Sequence, residues 1–373
     1  MIQPMRLNDE RYAYLALALT PGIGPARLKR LKDHCRTWSG ALAAPFAFLG
    51  SIPTMTAAAA TAIKGFDGTA LDRMVARVTE LGGFLLTPFD AEYPGSLGTI
   101  PSPPAVLFGI GHLDRLRGPA VAIVGSRHPS PYGIGVTRDL ARLAADGGLT
   151  VVSGMARGLD AVAHWAAVPT GRTIGVLGNG LGVVYPAANR TLYERMAADG
   201  LLLTEFPPGE RPTAGSFQRR NRLISGLARA TVVVEAAAGS GALITAGTAL
   251  EQGREILAVP GPITSRTSLG PNQLIRDGGA ALYREPDDLL SLYPEVDPGF
   301  RAGLRTGGDR DLARGRIRTE LQRILGVLDG TPRTLEGLAE ELTVRPETLI
   351  GALSELEIVG LVEQDGAGFR RVP

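Results

Sequence analysis

Short apolar runs recur through the middle of this chain of 373 residues, at Ala120–Val124, 149–152, 173–177, Leu201–Thr204, 231–234 and 256–259. Runs of four or five residues without alternation suit strands buried on both faces of a parallel sheet. Each is followed by a loop containing Gly or Pro and then by a helix-length stretch. Repeated βα units of this kind predict the α/β class: a Rossmann-like, doubly wound, mostly parallel sheet over residues 84–293.

The flanks have another texture. In residues 1–83, Tyr12, Leu15 and Leu19 share a face, and Leu71, Met74, Val75, Val78 and Leu81 follow the 3–4 spacing of an amphipathic helix, with Gly82 as its stop. A small helical domain, SAM-like or helix-hairpin-helix-like, is expected there. The turn Thr20-Pro21-Gly22-Ile23-Gly24-Pro25 feeds a helix carrying Arg27, Lys29, Arg30 and Lys32. It reads either as a helix connection with a solvated basic face, the favoured reading, or as a phosphate-holding turn. Residues 294–314 are polar and rich in Gly and Arg and read as a linker. Residues 315–373 offer three amphipathic helices and a hairpin, the order of a winged helix.

Composition narrows the class. With 44% apolar and 20% charged residues the chain is globular rather than disordered. No run of eighteen apolar residues exists and the first ten residues lack an apolar leader, so no membrane partner and a cytoplasmic location are expected. One cysteine, Cys35, excludes an internal disulfide and reads as a small core residue; four scattered histidines offer no metal site, and no cofactor is expected. Net charge is only +2, but all the basic residues except Lys29, Lys32 and Lys64 are arginines, whose planar donor fork suits phosphate.

Unusual residues collect where the strands end, and in an open parallel sheet those ends form the ligand crevice. Gly125-Ser126-Arg127 follows the first run, Ser153-Gly154 the second, Gly178-Asn179-Gly180 the third, and Ser240-Gly241 the fifth. Small residues at helix starts let backbone N–H groups approach an anion, and several such loops side by side point to phosphate. Arg211, Arg219, Arg220, Asn221 and Arg222 lie between the fourth and fifth runs, with Arg219 and Arg222 sharing a helix face. Phe217 either stacks on a base or packs in a core or interface. Aromatic residues amount to 5%, so recognition should rest on backbone phosphates.

At these residues the sequence resembles the DNA-processing protein A (DprA/Smf) family. The matching elements are Gly125-Ser126-Arg127, Ser153-Gly154 through Asp160 with His164, Tyr185-Pro186 with Asn189, Glu205-Phe206-Pro207, Phe217 with Arg220-Asn221-Arg222, Ser240-Gly241 with Thr245-Ala246, and Ala258-Val259-Pro260-Gly261. They cover the whole middle segment in order; departures are confined to Leu159, where the family usually has Ile, and Thr204 and Ala242, where it usually has Ser. The resemblance implies a non-enzymatic mediator that binds single-stranded DNA, protects incoming strands and loads RecA during natural transformation. It further implies a homodimer through the Rossmann-like domain; whether duplex DNA is also a partner is left open by the sequence. DNA contact falls on Arg127 and on Arg219, Arg220, Asn221 and Arg222.

Other residues read more plainly. Glu235 suits a structural role holding loop N–H groups, His164 a buried, satisfied histidine, and Asp160 either a loop anchor or a ligand contact. The terminal segment, residues 319–373, carries a net charge of −5, which favours a protein contact over DNA. The alternative function is a nucleotide-processing hydrolase of the LOG phosphoribohydrolase type, with Glu235 or Glu251 as its carboxylate. A dinucleotide-dependent dehydrogenase fits poorly, because Gly125-Ser126-Arg127-His128-Pro129 lacks the G-x-G-x-x-G spacing.

Overall fold

The apolar runs become strands because each is buried on both faces. In the computed structural model, which describes residues 9–305, 321, 323–329, 331–358, 362–365 and 368–371, they form the centre of a nine-stranded sheet. The strands are β1 (Gly83–Leu86), β2 (Leu107–Gly111), β3 (Ala120–Val124), β4 (Thr150–Ser153), β5 (Thr173–Val176), β6 (Leu201–Thr204), β7 (Ala230–Val233), β8 (Glu255–Ala258) and β9 (Ala281–Leu282). Their order is β1-β2-β6-β5-β4-β3-β7-β8-β9, with the pairs β1–β2 and β2–β6 antiparallel and every other pair parallel. Register puts Val121 beside both Val151 and Ala230. The mostly parallel, Rossmann-like sheet is therefore as expected. The antiparallel pair β1–β2 was not foreseen, because 84–293 read as uniform βα units.

Residues 9–80 form α1 (Asp9–Leu19), α2 (Pro25–His34), α3 (Trp38–Ala43), α4 (Phe46–Ser51), α5 (Ala57–Lys64) and α6 (Gly68–Glu80). The following helices are α7 (Gly95–Gly98), α8 (Pro131–Asp146), α9 (Leu159–Ala167), α10 (Arg190–Asp199), α11 (Ala214–Leu227), α12 (Gly241–Glu251), α13 (Leu269–Arg276) and α14 (Pro286–Leu290). One face of the sheet packs Val124, Val152, Val176 and Val233 against Leu223 and Ile224 of α11 and Ala246 and Ala249 of α12. The other face buries Leu202 with Leu192 and Met196 of α10, and Leu85 and Phe108 with Leu15 of α1 and Leu71 and Val78 of α6. The first helices thus share a core with the sheet, and the described residues up to Val296 form one compact unit.

That unit closes on Tyr293, which is wholly buried; its hydroxyl donates to the Ala120 carbonyl at 2.8 Å and accepts the Ala230 N–H at 3.1 Å. The second unit starts at Asp297. The stretch expected to be a linker contains a helix at Pro298–Arg305, begun by Asp297, whose carboxylate accepts the Phe300 N–H at 2.8 Å. An Asp-Pro start is a helix signal that the surrounding Gly and Arg residues obscured; residues 306–320 lie outside the described residues. Further on are helices Leu335–Leu342 and Pro346–Ile358 and the hairpin Val362–Asp365/Gly368–Arg371.

Candidate nucleic-acid interface

The chain winds from β3 outward through β4, β5 and β6, and α11 then returns it to β7 on the other side of β3. A crevice opens where the winding reverses, at the C-terminal strand ends. It is an open trough of two connected cavities, about 760 and 460 Å³, that share Arg127, His128, Ala156, Tyr185, Phe217 and Arg220. Gly125, Ser126, Asn221, Ser240 and Gly241 line the larger lobe, and Gly154 and Asn179 the smaller.

Each wall is fixed by hydrogen bonds of its own. Ser130 caps α8 by accepting the Gly133 N–H at 3.1 Å, with Pro131 in the first turn. Buried Glu235, at the end of β7, accepts the Ser130 N–H at 2.9 Å and its hydroxyl as well, so it anchors the 126–130 loop as expected of it. Asn189 donates to the carbonyls of Met155 and Ala156 at 3.0 and 3.1 Å, fixing the loop after β4. Gly158 holds that loop against the next: its φ is +77°, and a Cβ there would lie 2.3 Å from the Ser126 carbonyl oxygen. Thr213 and Ser216 cap α11 reciprocally, which aims its first turns at the trough.

Arg220 is the unusual side chain. It lines both lobes yet is only 4% exposed, and its Nε has no hydrogen-bond partner among the described residues. Its guanidinium lies over Gly154, where an added Cβ would come 1.7 Å from Arg220 Nη1 and 2.6 Å from Asp160 Oδ2. Only glycine admits both groups. Burial pushes Arg220 down to about 10, partly offset by Asp160. Burial likewise raises the Asp160 carboxyl above its ordinary range, against the pull of Arg220 and of the N–H groups of Ala156 and Gly154. Asp160 is thus a loop anchor and also lines the larger lobe. His164, one turn along α9, is wholly buried with Nδ1 2.8 Å from the Thr173 hydroxyl; burial, and secondarily Arg220, lower it to about 3. It is a neutral packing group, but not the fully satisfied histidine expected, because its Nε2 has no hydrogen-bond partner among the described residues.

Across the trough, Arg127 is exposed and has no ion pair among the described residues. Its guanidinium lies 5.8 Å from the Phe217 ring centroid, and Phe217 meets Tyr185 at 5.4 Å. A cation, two rings and a second, desolvated cation therefore face one open space. That arrangement can neutralise phosphates and stack a planar ring.

Four residues expected at the site stand elsewhere. Ser153 is buried and donates to the Ile123 carbonyl at 2.6 Å, tying two strands together. Arg211 is exposed in the loop before α11 and lines neither lobe. Arg219 and Arg222 also lie outside both lobes: they converge on Glu205, whose side chain is 4% exposed, with Arg219 Nη2 at 3.0 Å. The shared helix face is real, but a buried carboxylate claims it. The Arg-Asn-Arg stretch is consequently divided, with Arg220 and Asn221 on the trough and Arg222 on Glu205. Tyr185, exposed and central to the trough, was missed as a contact; its signal was an aromatic in a loop after a strand end.

Fold and crevice together define a Rossmann-like α/β protein whose switch-point site is open, arginine-bearing and ringed by small residues. The chain belongs to the DNA recombination-mediator protein A family, whose model matches residues 84–294. It is 34% identical to Protein Smf of Synechocystis sp. over 98% of this chain and 99% of that one. Among solved structures it resembles DNA processing protein A from Streptococcus pneumoniae, with a TM-score of 0.65 and 32% identity over 79% of this chain and 99% of that chain. It also resembles the Helicobacter pylori protein described for its single-stranded DNA binding mode, with a TM-score of 0.54 and 29% identity over 58% of this chain and 97% of that one.

Proposed function

We propose that this chain is a cytoplasmic, non-enzymatic mediator of recombination that holds single-stranded DNA in the switch-point trough, protects it, and loads RecA onto it during natural transformation. The observation that carries the reading is the pair of arginines, exposed Arg127 and buried Arg220, lining one open space with the Phe217 and Tyr185 rings. An open trough suits a continuing strand better than a small metabolite. The single-stranded DNA binding described for the Helicobacter pylori relative supports the ligand. The family supports the RecA and transformation roles.

The hydrolase alternative is disfavoured by the carboxylates. Glu235 is buried and occupied by Ser130, and Glu251 closes α12 at the end away from the trough. Self-association as a homodimer through the Rossmann-like domain is part of the proposal, supported by the exposed apolar side chains Leu282 on the edge strand β9 and Ile263 and Leu269 in the segment between β8 and β9. In the C-terminal unit, the two helices followed by a hairpin support a winged helix, and its negative charge supports a protein partner. Titrations of single-stranded and duplex DNA across salt test the reading. Tight, strongly salt-dependent binding of the single strand, with no adenine released from AMP, is expected; release of adenine, or indifference to single-stranded DNA, would overturn it.

A further inference from the structure

The trough is not the only place on the sheet rim where cations meet rings. Strand β1 is antiparallel to β2, and β2 to β6, so β1 runs with β6 and ends on the same rim as the trough. The loop after β1 carries Phe89, which is 55% exposed. Phe89 packs edge-on against two rings of the N-terminal helices: Tyr14, with centroids 4.9 Å apart, and Trp38, at 6.3 Å. Tyr14 and Trp38 meet at 5.0 Å and are themselves buried, so Phe89 is the outer ring of a rigid stack.

The surroundings are basic. Lys32 places its ammonium 5.3 Å from the Trp38 ring, and Lys29 lies one turn earlier on the same face of α2. Lys29, Lys32 and Arg36 are exposed and make no ion pair among the described residues. The nearby acids are largely engaged. Glu10 accepts the N–H groups of Trp38 and Ser39 at 2.7 and 3.0 Å, and Asp90 holds Arg11 at 3.0 Å and the Thr87 N–H at 2.7 Å. Glu10 keeps its negative charge and faces Lys32, and Asp33 is exposed beside the lysines, so these two carboxylates oppose the cations.

Between β5, which borders the small lobe, and β1 lie three strand spacings, about 14 Å. Stacked nucleotides at about 3.4 Å each would span that distance in roughly four residues. We propose that Phe89, braced by Tyr14 and Trp38 and flanked by Lys29, Lys32 and Arg36, is a second stacking and phosphate-binding platform for the same single strand, which runs along the rim from the trough to the N-terminal helices. This rests on the single-stranded DNA reading above. The basic face of α2 is thereby a DNA contact through its side chains, not through the turn at residues 20–25, where Arg27 is spent on the carbonyls of Thr54 and Gly22.

The test uses the full chain with oligothymidylates of about 6 and about 20 nucleotides, lengths chosen to fill the trough alone or to pass beyond it. Phe89→Ala should weaken the long oligonucleotide about fivefold or more, the lower end of a stacking contact, and leave the short one unchanged. Phe89→Trp should restore the long-strand affinity. The double variant Lys29→Ala/Lys32→Ala should reduce the salt slope for the long strand only. Unchanged long-strand affinity in Phe89→Ala, or equal losses at both lengths in a variant with wild-type thermal stability, would overturn the platform. Failure of the wild-type chain to bind either length would instead overturn the trough reading beneath it.

Discussion

Arg127→Ala set against Arg222→Ala separates a phosphate ligand from a structural cation. Both residues belong to motifs that resemble DNA contacts, but their surroundings differ. Arg127 is exposed, carries no carboxylate partner among the described residues and stands over Phe217. Arg222 has a side chain 15% exposed and is bound to buried Glu205. If Arg127 neutralises one phosphate, its removal takes about 0.7 from the log–log salt slope on single strands. Over a tenfold rise in salt the variant then loses about fivefold less affinity than wild type, so its deficit is largest in dilute salt. Arg127→Ala should melt like wild type. Arg222→Ala should keep the wild-type slope but cost about 1–3 kcal/mol of stability, because Glu205 stays buried with only Arg219 to balance it. Fluorescence anisotropy with labelled oligothymidylate from about 50 to 500 mM salt reads the slopes. An unchanged slope in Arg127→Ala, or a larger drop in Arg222→Ala, would refute the assignment of Arg127 to phosphate and of Arg222 to Glu205.

Other variants probe the supports of the trough. Arg220→Ala strips Asp160 of the opposite charge facing it across Gly154 and should cost about 3 kcal/mol, the lower end for a buried pair because the groups do not touch; urea unfolding measures it, and a loss below about 0.5 kcal/mol would refute the coupling. Gly158→Ala should lower DNA affinity and stability together, since its φ of +77° and the Ser126 carbonyl leave no room for a methyl group; a variant with wild-type binding and melting would contradict that packing. His164 is held neutral down to about pH 3 while an unfolded histidine titrates near 6.5. Below about pH 6.5 the unfolded state therefore binds the additional proton, and stability should fall by about 1.4 kcal/mol per pH unit as pH drops towards 3. Raised Asp160 works in the opposite sense, so the comparison is with His164→Gln, whose stability should decline less steeply; parallel curves would show that His164 does not contribute.

Much of this was legible because strand burial writes itself into sequence. Ala120–Val124 and Leu201–Thr204 coincide with their apolar runs, 173–177 overruns its strand by one residue, and the other three are shifted by one residue. β1 is hidden because only Leu81 and Gly82 separate it from α6 and its four residues are too few to show a period of their own, and β9 because two exposed residues carry no pattern. At the site, loops of small residues identified the rim, since a close approach to a ligand demands small residues wherever it occurs. Side-chain allegiance was not readable. Glu205 lies 14 residues from Arg219 and 17 from Arg222, and nothing local announces that it collects both. Helical spacing gives the face a residue occupies, and tertiary packing decides what waits there. Phe89 is silent for the same reason, because its braces, Tyr14 and Trp38, lie dozens of residues earlier, on helices before the sheet.

The most direct measurement is where a bound strand touches the protein. Photo-crosslinking of a 4-thiothymidine oligonucleotide to the full chain, followed by peptide mapping, reads this in one experiment. Adducts concentrated on the peptides bearing Tyr185 and Phe217 are expected, because those rings line the open trough together with Arg127 and Arg220. Adducts confined to other surfaces, with those two peptides unmodified, would contradict the account.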